Sequence, residues 1–342
     1  MNYSIYIQSA TQISMQEPLS ERWMTEPLLH AGPLVKAVNP VFRDYIPANE
    51  ARRMGTIMKR AIVTALKVLK DSGVEHPDAI ITGTSMGCLD YTEKFLADMT
   101  TNGEQALSPT FFMQSTHNTV GSAVAIYTKT HGYNTTYSQG QLSFDLALQD
   151  AFVQMRLGDI ATALVGGYDE TIESYFQLLA KTGFVGGVGM VPYGDVAVSM
   201  LITADKRADH LCELAGTTTV RCPALSDMRS ALDTMLHDAG MTTADVSAFM
   251  TGINGNEAND RFYTEMANEL FPGKPLLHYK HLFGENYTAS AFGVYAAAHC
   301  LKAGAIPASL FVQEPCSSLS PKAILLANQR NGKDVSFTLL RG

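Results

Sequence analysis

Ala65-Leu66-Lys67-Val68-Leu69-Lys70-Asp71-Ser72-Gly73, and shortly after it Ala79-Ile80-Ile81-Thr82-Gly83, read as a helix, a glycine stop and a short apolar strand. The same order returns at Ala231-Leu232 through Asp238-Ala239-Gly240, followed by Ala248-Phe249-Met250-Thr251-Gly252. The offset is 166 between Leu66 and Leu232, 167 between Gly73 and Gly240, and 169 between Thr82 and Thr251. A second pair, His117-Asn118-Thr119-Val120-Gly121-Ser122-Ala123 against Glu285-Asn286-Tyr287-Thr288-Ala289-Ser290-Ala291, keeps an offset of 168, as do Tyr127 and Tyr295. Two matches at nearly one offset point to a duplicated chain. The unit is far longer than a solenoid repeat of about 20–50 residues.

Helical spacing of Met54, Ile57, Met58, Ala61, Ile62, Ala65, Leu66 and Leu69 predicts a helix over 50–72, and Ala161-Thr162-Ala163-Leu164-Val165-Gly166-Gly167 reads as a buried strand. Short apolar strands flanked by helices imply sheets covered on both faces, which is an α/β layered architecture. The charged stretch Asp205-Lys206-Arg207-Ala208-Asp209 divides the chain into halves 1–208 and 209–342.

Composition narrows the function. The 342 residues are 46% hydrophobic and only 17% charged, below the roughly 25% of an average soluble protein. That shortage suggests surface buried in an oligomer. Lys plus Arg total 25 against 33 Asp plus Glu, a net charge of -8, which argues against nucleic acid as a partner. No window reaches the ~20 apolar residues of a membrane span, and Met1-Asn2-Tyr3-Ser4 opens no signal-peptide pattern. Cys88, Cys212, Cys222, Cys300 and Cys316 are scattered and odd in number, which suits neither a disulfide framework nor a zinc ribbon and suggests a cytoplasmic setting.

The order of features resembles the β-ketoacyl synthase family, whose thiolase fold is a duplicated α/β unit layered αβαβα. Tyr45-Ile46-Pro47 through Met54, Thr82-Gly83-Thr84-Ser85-Met86-Gly87, Leu107-Ser108-Pro109 through Asn118, and Gly158-Asp159-Ile160 through Gly167 carry the resemblance. In that family a cysteine in a "T-A-C-S-S" turn holds the acyl chain as a thioester, and two histidines stabilise the enolate formed on decarboxylation. The cysteine lies 17 residues before the glycine of a "GDAD" motif. Counting back from Gly158 reaches Gln141, whose amide is not a useful nucleophile. The "A-H-G-T" histidine is missing, with Asn254 the nearest polar substitute. In place of "K-S-M-T-G-H", Lys280 and Gly284 are followed by Glu285. The "G-F-G-G-T-N" loop is altered to Asn328-Gln329-Arg330-Asn331-Gly332.

Glutamine at the cysteine position is similar to the chain length factors, non-catalytic subunits that pair with an active ketosynthase in type II polyketide, aryl polyene and related systems. The resemblance implies a heterodimer with that ketosynthase, an acyl carrier protein reached through the pair, and no metal or organic cofactor. It places Phe111, Phe112, Gln114 and Thr116 in the segment that gates the acyl tunnel or packs the dimer interface. Two other readings stay open. One is an acyl-thioester transferase or hydrolase using Glu285, Lys280 and Asn254; the other is a homodimeric binding or scaffold protein.

Local readings follow for the remaining motifs. Gln141 is expected either to bond its amide to backbone as a buried plug or to mimic an acyl-cysteine, and Asn254 to serve turn chemistry. Glu285 is expected to pair with Lys280. Cys316-Ser317-Ser318 sits between Pro315 and Pro321, unsuited to a nucleophile elbow. His278 and His281 lack a third metal ligand nearby. The glycines from Gly183 to Gly189 read as a tight loop without a phosphate-binding lysine.

Overall fold

The computed structural model describes residues 4–105, 107–221, 224–313 and 319–342. One sheet holds ten strands: β1 (Tyr6–Ile13), β2 (Ala79–Gly83), β3 (Tyr133–Tyr137), β4 (Thr162–Asp169), β5 (Val196–Thr203), β6 (Cys212–Arg221), β7 (Ala248–Thr251), β8 (Leu276–His278), β9 (Ala323–Arg330) and β10 (Asp334–Arg341). Their order across the sheet is β8-β7-β9-β10-β6-β1-β5-β4-β2-β3. Each strand of the first five has its counterpart five labels later. β2 runs parallel to β3 and β4, while β5 runs antiparallel to β4 and β1. Likewise β7 runs parallel to β8 and β9, while β10 runs antiparallel to β9 and β6. The join is narrow: β1 meets β6 only at Tyr6–Glu213 and Ile7–Cys212.

The helices that build the layers are α1 (Thr56–Ser72), α2 (Leu89–Asn102), α3 (Pro109–Gln114), α4 (Thr119–Thr128), α5 (Ser143–Leu157), α6 (Glu173–Lys181), α7 (Leu225–Asp238), α8 (Glu257–Leu270) and α9 (Ser290–Ala303). Side chains alternate across each strand, and the alternation sorts them into layers. In β5, Ala197 and Leu201 pack outward with Ile57 and Ile62 of α1 and Val124 of α4. Val196, Val198, Met200 and Ile202 of the same strand face a central core that also holds Phe144 and Leu148 of α5 and Phe292 and Tyr295 of α9. In β9, Leu325 packs outward with Leu232 of α7 and Met266 of α8, while Ile324 and Leu326 join the central core. With the two five-stranded halves of the sheet counted as separate layers, the result is helix, strands, helix, strands, helix. This is the layered α/β architecture expected from the sequence.

Small residues make the central layer possible. From Ser290 to Leu301 every residue of α9 is buried, and Ala291, Gly293, Ala296, Ala297 and Ala298 keep the helix thin enough to lie between the sheets. A Cβ on Gly293 would stand 2.8 Å from Tyr279 and 3.0 Å from Leu326. None of the described helices is long and apolar enough to cross a membrane.

Two expectations are corrected. The helix over 50–72 breaks: a turn ends at Ala51, Gly55 is extended with ψ 158°, and α1 starts at Thr56, while the Tyr91 ring, 2.6 Å from where a Cβ would stand, admits only glycine at 55. The match at offset 168 is not a structural repeat. Helix α4 precedes β3 and covers the outer face, whereas the helix of Tyr295, α9, follows β8 in the central layer. The counterpart of α9 is α5, which follows β3.

Two buried carboxylates fasten the halves together. Asp145 of α5 accepts from Ser290 Oγ (2.7 Å), Ser336 Oγ (2.6 Å) and Asn328 Nδ2 (2.8 Å). Asp169 accepts from Thr84 Oγ1 and the Ser85 N–H, both 2.9 Å, and from Thr288 Oγ1 across the divide at 2.9 Å. Burial raises the pKa of both, and these hydrogen bonds oppose the rise. The next residue, Glu170, accepts the Asp90 N–H at 3.0 Å, and burial raises its pKa from 4.5 to about 7. The fold therefore favours the protonated acid. Stability from this group is full below pH 4.5 and falls until pH 7, by about 3 kcal/mol. In Glu170→Gln that decline disappears, so the difference in urea stability between variant and parent grows from pH 5 to pH 8.

Candidate functional site

The loop after β7, the turn after β8, the turn before α5 and the β9–β10 hairpin converge on a cavity of about 350 Å3. Gln141, Asn254, Lys280 and Glu285 line it together. Asn256, Asn259, Gln329 and Asn331 add four more carboxamides, and Phe184 and Phe262 supply aromatic walls.

Gln141 lies in the single turn Gly140–Leu142 that leads into α5. Gly140 takes a left-handed φ of 57°, and Ser143 locks the turn by donating to the Gly140 carbonyl (2.7 Å) and accepting the Gln139 N–H (2.9 Å). The main-chain carbonyl of Gln141 accepts from Asn328 Nδ2 at 2.7 Å. Among the described residues no hydrogen bond engages its side-chain amide, so the expected bond from amide to backbone is not formed; the backbone is the acceptor and the carboxamide faces the cavity.

Asn254 follows β7 in a loop held by α8. Asp260 accepts the N–H groups of Asn254 (2.9 Å) and Gly255 (2.8 Å), and Asn256 caps α8 by accepting from Ala258 and Asn259. The side-chain Oδ1 of Asn254 closes an Asx turn on the Asn256 N–H at 3.0 Å and accepts from Asn259 Nδ2 at 2.9 Å. Its Nδ2 is left to donate to Glu285 Oε2 at 2.6 Å. Lys280, in the turn after β8, donates to the same carboxylate at 2.8 and 3.0 Å. Both side chains are almost fully buried, 5% exposed for Lys280 and 2% for Glu285. Lys280 reaches across Gly252, where a Cβ would come within 3.1 Å of its Nζ. Positive and negative charge thus cancel inside the cavity, and three donated hydrogen bonds engage the carboxylate.

The other candidates lie elsewhere. Phe111 packs on Tyr91 (5.5 Å between ring centroids), whereas Phe112 is 59% exposed beside Phe95. Gln114 donates to the Arg53 carbonyl at 3.1 Å, and Thr116 pairs with Thr119 at 2.8 Å. None of the four lines the cavity. Phe111 and Phe112 pack on α2, whereas β3 is the last strand of the sheet and its outer edge pairs with no strand among the described residues. Exposed apolar side chains stand on the helices that pack on it, Ile126 of α4 and Val153 and Leu157 of α5, and Met113 of α3 is exposed as well. The rings of His278 and His281 stack at 3.8 Å, with His281 Nε2 2.8 Å from the Ser309 carbonyl. Cys316-Ser317-Ser318 lies outside the described residues.

The glycine loop after α6 is more than a connector. Phe184 forms a cavity wall and stacks on Tyr287, with centroids 5.8 Å apart and planes at 17°. The signal for it was an aromatic residue set among Gly183, Gly186 and Gly187. Gln329 and Asn331 fall in the altered C-terminal loop, whereas the carboxamides of Asn256 and Asn259 matched no motif.

Comparison with known proteins completes the description. The profile described as "Beta-ketoacyl synthase, N-terminal domain" matches residues 22–244. Among solved structures, the ishigamide ketosynthase/chain length factor superposes with a TM-score of 0.85 at 14% identity, covering 100% of this chain and 99% of that one. A ketosynthase in complex with its chain length factor from Xenorhabdus doucetiae gives 0.81 at 15% identity, covering 99% and 98%. A β-ketoacyl synthase from Burkholderia phymatum gives 0.79 at 14%, covering 99% of each chain. No curated protein matches the sequence.

Proposed function

Because the chain belongs to the β-ketoacyl synthase family, we propose that it is a non-catalytic subunit of that family, a chain length factor, paired with an active ketosynthase in polyketide, polyene or fatty-acid-like biosynthesis. The observation that carries the reading is the lining of the cavity. Among its described residues there is no cysteine, serine, threonine or histidine, and its one amine is held by Glu285. A carboxamide stands at the start of α5, where the family places its thiolate. With no nucleophile to take up an acyl group, the contribution of this chain is to the shape of a shared tunnel.

The free edge of β3 and its apolar flanks support a partner face. An open edge with exposed aliphatic neighbours is an aggregation hazard unless another chain covers it. The acyl carrier protein is then met through the pair, and halves 1–208 and 209–342 act as one body.

Native mass spectrometry of the chain, alone and co-expressed with a Cys-His-His ketosynthase from the same gene neighbourhood, tests this. The expected result is a 1:1 heterodimer that outcompetes self-association, with no acyl adduct on this chain after incubation with acyl carrier protein thioesters. A homodimer indifferent to the ketosynthase, or a stable adduct on any residue here, overturns the proposal.

A further inference from the structure

Behind the cavity wall a line of contacts runs toward the α3–α4 face. The Phe184 ring lies on Tyr287, Tyr287 Oη is 2.8 Å from Tyr175 Oη, and Tyr175 Oη is 3.5 Å from Met86 Sδ. Next to Met86, Gly87 lies against His117, so close that a Cβ would stand 3.1 Å from His117 Cα. His117 Nε2 in turn sits 3.0 Å from the Ser85 carbonyl. His117 belongs to the exposed turn between α3 and α4.

We propose that Tyr175 and Tyr287 form a fixed plug behind Phe184 that sets how far a carbon chain can run from the cavity toward this face. Tyr287 stands on a rigid support. Asn286 donates to the Gly194 carbonyl at 2.7 Å and accepts from Tyr193 Oη at 3.1 Å and from the Tyr287 N–H at 2.8 Å. On its other side Thr288 is tied to Asp169 at 2.9 Å. Phe184 is less tied: it follows Gly183, whose φ is 75° and around which there is open space, and it stacks on Tyr287. With Tyr287 donating to Tyr175 and Tyr175 donating on to Met86 Sδ, both hydroxyl protons have acceptors without water between the rings. Removing the Tyr287 ring leaves space into which Phe184 or a ligand chain can turn. That the natural occupant is acyl rests on the function proposed above; the plug is a property of this chain alone.

The test introduces a thiol as Gln141→Cys in the full chain and follows its reaction with alkyl methanethiosulfonates by intact mass. The cysteine thiolate attacks the reagent sulfur, a mixed disulfide forms and methanesulfinate leaves; the chain retaining Gln141 reports background from the native cysteines. The dodecyl reagent is expected to react at least about tenfold more slowly than the ethyl reagent, because forcing extra methylenes into packed rings is unfavourable. Adding Tyr287→Ala or Tyr175→Ala abolishes that difference, whereas Tyr287→Phe, which keeps the ring, preserves it. Equal length dependence with and without the alanine change, in whichever variant keeps the parent's circular dichroism, overturns the plug. So does the absence of any length dependence in Gln141→Cys itself. Neither result depends on a partner, so failure here is distinct from failure to form the heterodimer.

Discussion

Lys280→Met alone is expected to lower the unfolding free energy by about 3–5 kcal/mol, the cost of leaving a buried charge without its counterpart. Glu285 is 2% exposed, and without Lys280 it keeps only the bond from Asn254 Nδ2. The companion variant Lys280→Met/Glu285→Gln is expected to recover most of the loss. Its amide oxygen still accepts from Asn254, and no charge remains to be compensated. Urea denaturation of four chains, the parent, Lys280→Met, Glu285→Gln and the double variant, reads the coupling directly. If the single variant costs under about 1 kcal/mol, as an exposed pair does, water reaches the carboxylate and the pair does not close the cavity. The cycle also separates structure from chemistry, since the double variant keeps the fold but holds neither an amine nor a carboxylate in the cavity.

Phe112→Asp is expected to weaken pairing with the ketosynthase by at least about 100-fold, the scale of an aromatic hot spot replaced by a charge that must be desolvated. The side chain is 59% exposed in the isolated chain and stands on α3 beside Met113, itself 70% exposed. Because little is buried there before assembly, stability of the chain alone should shift by no more than about 0.5 kcal/mol. Titration by native mass spectrometry with a thermal melt of the unpaired chain distinguishes the two effects. Affinity unchanged by Phe112→Asp would remove this helix from the interface. Phe111 is a poorer probe, since its contact with Tyr91 means that truncation disturbs the chain's own packing.

The layers were legible in the sequence because both strand alternation and helical spacing are local properties. Ile80 and Ile81 face opposite layers, and the pattern of α1 is plain from Ile57 to Leu69. The offset of 168 misled because it compared residue types without topology. Between β2 and β3 the first half carries α2, α3 and α4, whereas only α8 lies between β7 and β8, so one offset cannot hold beyond the strands. Gln141, Asn254, Lys280 and Glu285 were found by counting from family motifs. Their meeting in one cavity depends on contacts across 31 residues between Asn254 and Glu285, and on 187 between Gln141 and Asn328. Phe184 was read as part of a loop because nothing in a glycine-rich stretch states which ring it carries or against what.

The place of β1 has a consequence for how the chain comes into being. Residues 6–13 pair with Ala197–Thr203 on one side and Cys212–Glu213 on the other, at the centre of the sheet. At translation rates of about 5–20 residues per second, roughly ten to forty seconds pass between synthesis of this strand and of its neighbours. During that wait Tyr6-Ile7-Gln8-Ser9-Ala10-Thr11-Gln12-Ile13, uncharged and rich in β-formers, has no partner within the nascent chain. Pairings so distant also close slowly, since loop closure precedes any reward from contact. The first made of these ten strands is thus among the last to be seated, and a chaperone that shields it should raise the yield of folded chain more than one acting after release.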